Sequence, residues 1–151
     1  VKEKDMGYNT DYEGVLLFSK SSLMNLEKLR YLDTILDEDF REHSDWHKLL
    51  PPDTYLTYIN LELTQGRTGL EWSGNEKSHD MVDAVNLIKT LMEKKFKDKF
   101  YLEGKFLCQG ESIEDRWLLM FDNDGIAFRQ DITVEALITC PNCGHKFELG
   151  S

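Results

Sequence analysis

Apolar residues recur along this chain with two periods, and each change of period marks the expected end of an element. Tyr12 to Phe18 reads as a strand that runs into the polar stretch Ser19-Lys20-Ser21-Ser22, where a serine can accept the free amides of a helix start. From Leu23 to Leu36 the spacing becomes helical, with Leu26, Leu29, Leu32 and Leu36 on one stripe. Asp37 to Asp45 is acidic and fits either a helix end or a loop, and Pro51-Pro52 stops any helix. Leu56 to Thr64 alternates: Ile59, Leu61 and Leu63 share one face, while Tyr58, Asn60 and Glu62 share the other. One side is therefore expected to be buried and one wet.

Gln65 to Gly69 predicts a turn and Leu70 to Ser73 the returning strand. The strongest helical pattern runs from Ser78 to about Phe96. Met81, Val85, Ile88 and Met92 form its stripe, flanked by Ala84 and Leu91. Lys94, Lys95 and Lys97 gather at its C-terminal end, where positive charge suits the helix dipole. Three further strands follow, Phe100 to Gln109, Arg116 to Phe121 and Gly125 to Asp131, the last two joined by the hairpin signal Asp122-Asn123-Asp124-Gly125. The order βαββαβββ predicts an α+β fold, an antiparallel sheet with two helices on one face. Residues 1–10 are expected to fray, 11–132 to form the domain, and 133–151 to be a C-terminal tail resembling a zinc knuckle.

With 151 residues the chain matches the size of one domain, and its 40% hydrophobic content supports a core without staples. A net charge of −10 favours solubility and disfavours nucleic acid or an anionic membrane surface as partner. No apolar run approaches the roughly 18 residues of a membrane span, and no charged-then-apolar leader opens the sequence. Two of the three cysteines are separated by only two residues, which suits metal binding in a reducing compartment better than a disulfide framework. A cytoplasmic location follows as the expectation, in the producing cell or an infected host.

Cys140-Pro-Asn-Cys143-Gly144 is the most specific motif. Two cysteines separated by two residues and followed by glycine let a tight turn aim both sulfurs at one ion, as in structural zinc sites. Two more ligands are needed. His43 and His47, four apart, would share one face of a helix and complete a Cys2His2 set. Cys108, His145 or the knuckle of a second chain are the alternatives, and the last would give a metal-bridged homodimer. Against these stand the plainer readings: Cys108 as a small core residue beside Leu102 and Phe106, and both histidines as solvated side chains. A redox role is weaker, since no βαβ unit follows the pair.

Gly110 to Trp117 gathers Glu111, Glu114 and Asp115 beside Arg116. Such carboxylates can hold a small ligand or hard cation, or move protons, although a solvated connection that keeps a strand edge from pairing is the simpler reading. His79 at a helix start is a weaker general-base candidate. No Ser-His-Asp spacing, phosphate-cradling glycine loop or zinc-protease helix is present, which favours a non-enzymatic role. Trp46, Trp72 and Trp117 are expected in or beside the core.

Gly7-Tyr8, the strand Tyr58 to Leu63, Glu76 to Met81, Leu102-Glu103-Gly104, and Gln109-Gly110-Glu111 with Trp117-Leu118-Leu119 together resemble a family of small uncharacterised phage, prophage and bacterial proteins. That family carries a Gly-Glu, acidic, Asp-x-Trp stretch near its end, and the resemblance implies no particular activity. The leading expectation is an acidic, phage-encoded binding protein that engages a host or viral protein, with structural zinc in the tail. The runner-up is a small-ligand or nucleotide-binding module, with hydrolysis as one variant, built on Glu111, Glu114 and Asp115. A third is a nucleic-acid contact through Lys146 and Phe147.

Overall fold

The structure, a computed structural model, describes residues 10–22, 24–39, 44–52, 54, 58–74 and 80–132. Six strands are joined in one sheet: β1 (Asp11–Phe18), β2 (Leu61–Leu63), β3 (Gly69–Trp72), β4 (Leu102–Gln109), β5 (Arg116–Phe121) and β6 (Ala127–Ile132). Helix α1 spans Leu26–Asp37 and helix α2 spans Met81–Phe96, with a four-residue helical turn at Ser44–His47. The strand order is β2-β3-β1-β4-β5-β6, and every neighbouring pair is antiparallel.

That order explains why the helices share a face. β1 and β2 run parallel but are separated by β3, and β3 and β4 run parallel but are separated by β1. Each helix therefore sits in a crossover that skips one strand. Right-handed crossovers made in opposite directions from oppositely directed strands land on the same side of the sheet. The first four strands thus make the split β-α-β arrangement of ferredoxin-like folds, extended by the β5–β6 hairpin.

Both stripes are buried against that side. Leu32, Ile35 and Leu36 of α1, with Met81, Ala84, Val85, Leu87, Ile88, Leu91 and Met92 of α2, join Tyr12, Leu16, Leu61, Leu70, Phe106, Trp117 and Leu119 in one core. The alternation expected around β2 holds: Ile59 and Leu61 are buried and Leu63 half-buried, whereas Tyr58 and Glu62 are exposed. The strand itself is shorter than the pattern suggests: its ladder covers Leu61–Leu63, and Ile59 packs into the core ahead of it.

The start of α1 differs from expectation. Asn25 caps it, accepting the Lys28 amide at 2.9 Å. The serine stretch instead forms a 3-10 turn over Lys20–Ser22, and buried Ser22 both donates to Tyr101 O and accepts from Tyr101 N, each at 2.8 Å. One hydroxyl so ties the β1–α1 connection to the entrance of β4. Leu26, expected on the buried stripe, is exposed, and the stem of Lys28 is buried in that turn. Its ammonium reaches Asp98 Oδ2 at 3.1 Å and Ser22 O at 3.3 Å, which sequence periodicity does not reveal.

The two central strands approach closely at glycines. Gly14 (φ 126°) would place a Cβ 2.4 Å from the Lys105 carbonyl oxygen, and Gly104 (φ 107°) one 2.6 Å from that of Val15. Only glycine fits either position without moving backbone.

Candidate functional site

The metal ligands read from the sequence cannot be placed together, because Cys140, Cys143 and His43 lie outside the described residues. The backbone of His47 closes the short helical turn at 44–47, but its side chain lies outside them too. His79, His145, Lys146 and Phe147 likewise fall outside. Among the described residues no group of three or more His, Cys, Asp or Glu is placed to hold a metal ion.

Glu111, Glu114 and Asp115 lie on the β4–β5 connection, closed by Gly110 N–H to Asp115 O at 2.8 Å and Asp115 N–H to Ser112 O at 2.9 Å. Glu111 and Glu114 are exposed, and Glu114 accepts the Ser112 hydroxyl at 2.9 Å. Asp115 turns onto β6, where Arg129 Nη2 donates to it at 3.2 Å. The same guanidinium donates to Asp131 at 2.6 Å and lies 4.5 Å over the Trp117 ring. Asp115 therefore helps to lock the end of the last hairpin.

A cleft of about 520 Å³ opens at the other end of the sheet, lined by Lys89, Glu93, Lys97, Asp98, Lys99, Tyr101 and Asp124. Its buried lysine is already engaged. Lys89 donates to Glu93 Oε2 at 2.6 Å and Phe100 O at 3.3 Å, and its ammonium sits 4.2 Å over the Tyr101 ring. Glu93 Oε2 also accepts the Phe100 amide at 3.0 Å, and Asp98 takes Lys28. These pairs fasten the α2–β4 connection to both helices, and the cleft is charge-compensated.

Tyr12, Cys108 and Trp117 form one row across β1, β4 and β5 on the core face. Cys108 is fully buried, as its core reading requires, and burial pushes its thiol up to about 12. Burial, together with Cys108 and Asp80, also raises the Tyr12 phenol. Both groups are neutral in the fold and ionise more readily once unfolded. Their stabilising contribution is complete below about pH 9, the ordinary range of a free thiol, and is lost as pH climbs toward the folded values. Unfolding free energy should therefore fall above pH 9, by up to about 1.4 kcal/mol per pH unit per group. Urea titrations at pH 7, 9 and 10.5 read this directly, and Cys108→Ala should flatten the slope. A Cys108 peptide that reacts with iodoacetamide in the native protein at pH 8 would contradict the burial behind this expectation.

The remaining large feature is the second face of the sheet, which no described element covers. Leu17 is 45% exposed, and Val15 and Phe128 are each 37% exposed. On the same face Leu107 stands opposite Leu118, Met120 opposite Phe128, and Arg116 opposite Ile132. Leu107, Leu118, Met120 and Ile132 are half-buried. An apolar strip thus crosses β4, β5 and β6, with Val15 of β1 diagonal to Leu107 at its edge.

Around it, among the described residues of the strands, stand Asp11, Glu13, Glu62, Glu71 and Glu103, with only Lys105 and Arg116 of opposite sign. None of these seven makes an ion pair among the described residues. Glu62 and Glu71 face each other directly across β2 and β3, an arrangement that costs stability on its own. The sequence does carry a signal for this face. Val15-Leu16-Leu17 and Trp117-Leu118-Leu119-Met120 are continuous apolar runs, the mark of strands covered on both sides.

Among the described residues no helix is long and apolar enough to cross a membrane. No family model, curated protein or solved structure matches this chain.

Proposed function

We propose that this chain is a non-enzymatic binding protein that engages a partner protein through the open face of its sheet. The observation that carries the reading is the apolar strip of Val15, Leu17, Leu107, Leu118, Met120 and Phe128, set in an otherwise charged surface. An exposed, contiguous apolar patch rimmed by polar groups is the usual mark of an interaction site. The rim sets the partner's character: five carboxylates against two cations favour a surface with an apolar centre and Lys or Arg around it. Basic side chains docking beside Glu62 and Glu71 would also relieve that like-charge pair.

The same rim argues against nucleic acid. Sheets of this topology can take single strands by stacking bases on exposed aromatics of the central strands. Here the central strands present Glu13, Val15, Leu17, Glu103, Lys105 and Leu107, and the carboxylates repel phosphate. A partner from a host cell or its virus is in keeping with the resemblance noted in the sequence.

A photo-crosslinking residue at Phe128, compared with one at exposed Glu27 on the far side of the molecule, tests the reading in the producing cell. One dominant basic protein should be trapped from position 128 and not from 27, with the yield falling as salt rises. Equal trapping from both positions, or none from 128, would remove the open face as the binding surface.

A further inference from the structure

Arg116 is the odd residue of the open face. It stands in the last row of the sheet, with Gln109 on one side and Ile132 on the other. Among the described residues its Nε is buried without a hydrogen-bond partner, and no carboxylate pairs with its guanidinium. The carboxylates nearest to it in the sequence are committed or turned away. Asp115 is held by Arg129 on the opposite face, and Glu114 takes Ser112. The Gln109 amide donates to Gly110 O and Ser112 O, both at 2.9 Å, and so is held in the loop. A sequestered donor with no acceptor costs free energy in the isolated fold and calls for an explanation. The buried Nε leaves the two terminal nitrogens of the guanidinium to meet a ligand end-on, the geometry that grips a carboxylate with two parallel hydrogen bonds.

Leu118 lies two residues further along β5 on the same face, about 6.6 Å away. A carboxylate on Arg116 would therefore sit next to the apolar strip. One terminal residue can span that distance with its carboxylate and an apolar side chain. An acidic rim surrounds this arginine, so a ligand with one carboxylate and otherwise basic charge fits it better than an acidic segment.

We propose that Arg116 is a carboxylate-accepting subsite that receives the free C-terminus of a basic partner segment ending in an apolar residue, whose side chain rests on Leu118 and Leu107. This rests on the open face being the binding surface and goes further by naming the chemistry of its ligand.

Three synthetic peptides probe it: acetyl-Lys-Lys-Leu with a free carboxylate, the same peptide as its C-terminal amide, and acetyl-Lys-Lys-Leu-Asp-amide, which offers a side-chain carboxylate instead. Binding is followed by methyl NMR of Val15, Leu107 and Leu118. The free acid should bind at least tenfold more tightly than the amide and shift the Leu118 and Leu107 methyls most. Arg116→Gln should erase the difference between acid and amide while the protein keeps its melting temperature, and Arg116→Lys should restore part of it. Equal binding of acid and amide, with shifts on the open-face methyls, overturns the subsite but leaves the face itself standing. Tighter binding of the aspartate peptide overturns the choice of a chain terminus. Absence of binding by all three overturns the inference, while the crosslinking result at Phe128 decides the parent reading separately.

Discussion

Phe106→Ala should lower the unfolding free energy by about 3–5 kcal/mol, the range for deleting a buried aromatic ring. Phe106 is fully buried on β4, paired with Gly14 on one side and Leu119 on the other. Its ring centroid lies 5.9 Å from that of Tyr12, which in turn meets Trp72 at 5.5 Å and Trp117 at 6.2 Å. Removing the ring leaves a hole at the centre of that cluster. The surrounding strands are held in register by the glycine contacts at 14 and 104 and cannot close it by sliding. Domains of this size hold only about 5–15 kcal/mol in total, so the variant should stand near its unfolding midpoint in mild urea and lose near-ultraviolet circular dichroism from its tyrosines and tryptophans. Leu17→Ala, on an exposed position, should change stability by no more than about 0.5 kcal/mol. If Phe106→Ala cost as little as Leu17→Ala, the core would lie elsewhere.

The contrast between these two leucine- and phenylalanine-bearing strands shows what pattern alone can and cannot convey. Helical spacing located α2 with its whole stripe, since Met81, Val85, Ile88 and Met92 are all buried. Alternation placed Ile59 and Leu61 inward. The order of elements was likewise legible, and with the handedness of crossovers it is enough to put both helices on one side. Pairing was not legible, because it depends on contacts between residues distant in the chain: Leu17 opposite Glu103 and Gly69, or Arg116 opposite Gln109 and Ile132. Without pairing, the open face cannot be assembled from its pieces: the apolar runs at 15–17 and 117–120 mark two strands, but not that Val15, Leu118 and Phe128 share one side of the sheet. Ion pairs between elements, such as Lys28 with Asp98, escape for the same reason. The acidic stretch at 111–115 stands out by composition, yet it is the arginine beside it whose buried Nε has no hydrogen-bond partner among the described residues.

The sheet's two faces therefore answer to different demands, and a single strand can separate them. Val15 and Leu16 are adjacent on β1, the first exposed and the second fully buried. Val15→Glu should leave the unfolding free energy within about 1 kcal/mol of the parent, since it disturbs only strand propensity on a wet face. It should nevertheless weaken binding of the partner trapped at Phe128 by thirtyfold or more, the roughly 2 kcal/mol expected when a central apolar contact is replaced by a charge that must be desolvated. Repulsion from the basic rim would not explain the loss, because the new carboxylate has the sign that such a rim prefers. Only an apolar anchor seated over Val15 accounts for it. Titration calorimetry with the purified partner at two salt concentrations makes the distinction. A Val15→Glu protein that binds as tightly as the parent, or more tightly at low salt, would mean that charge alone drives association and that the apolar strip plays no part.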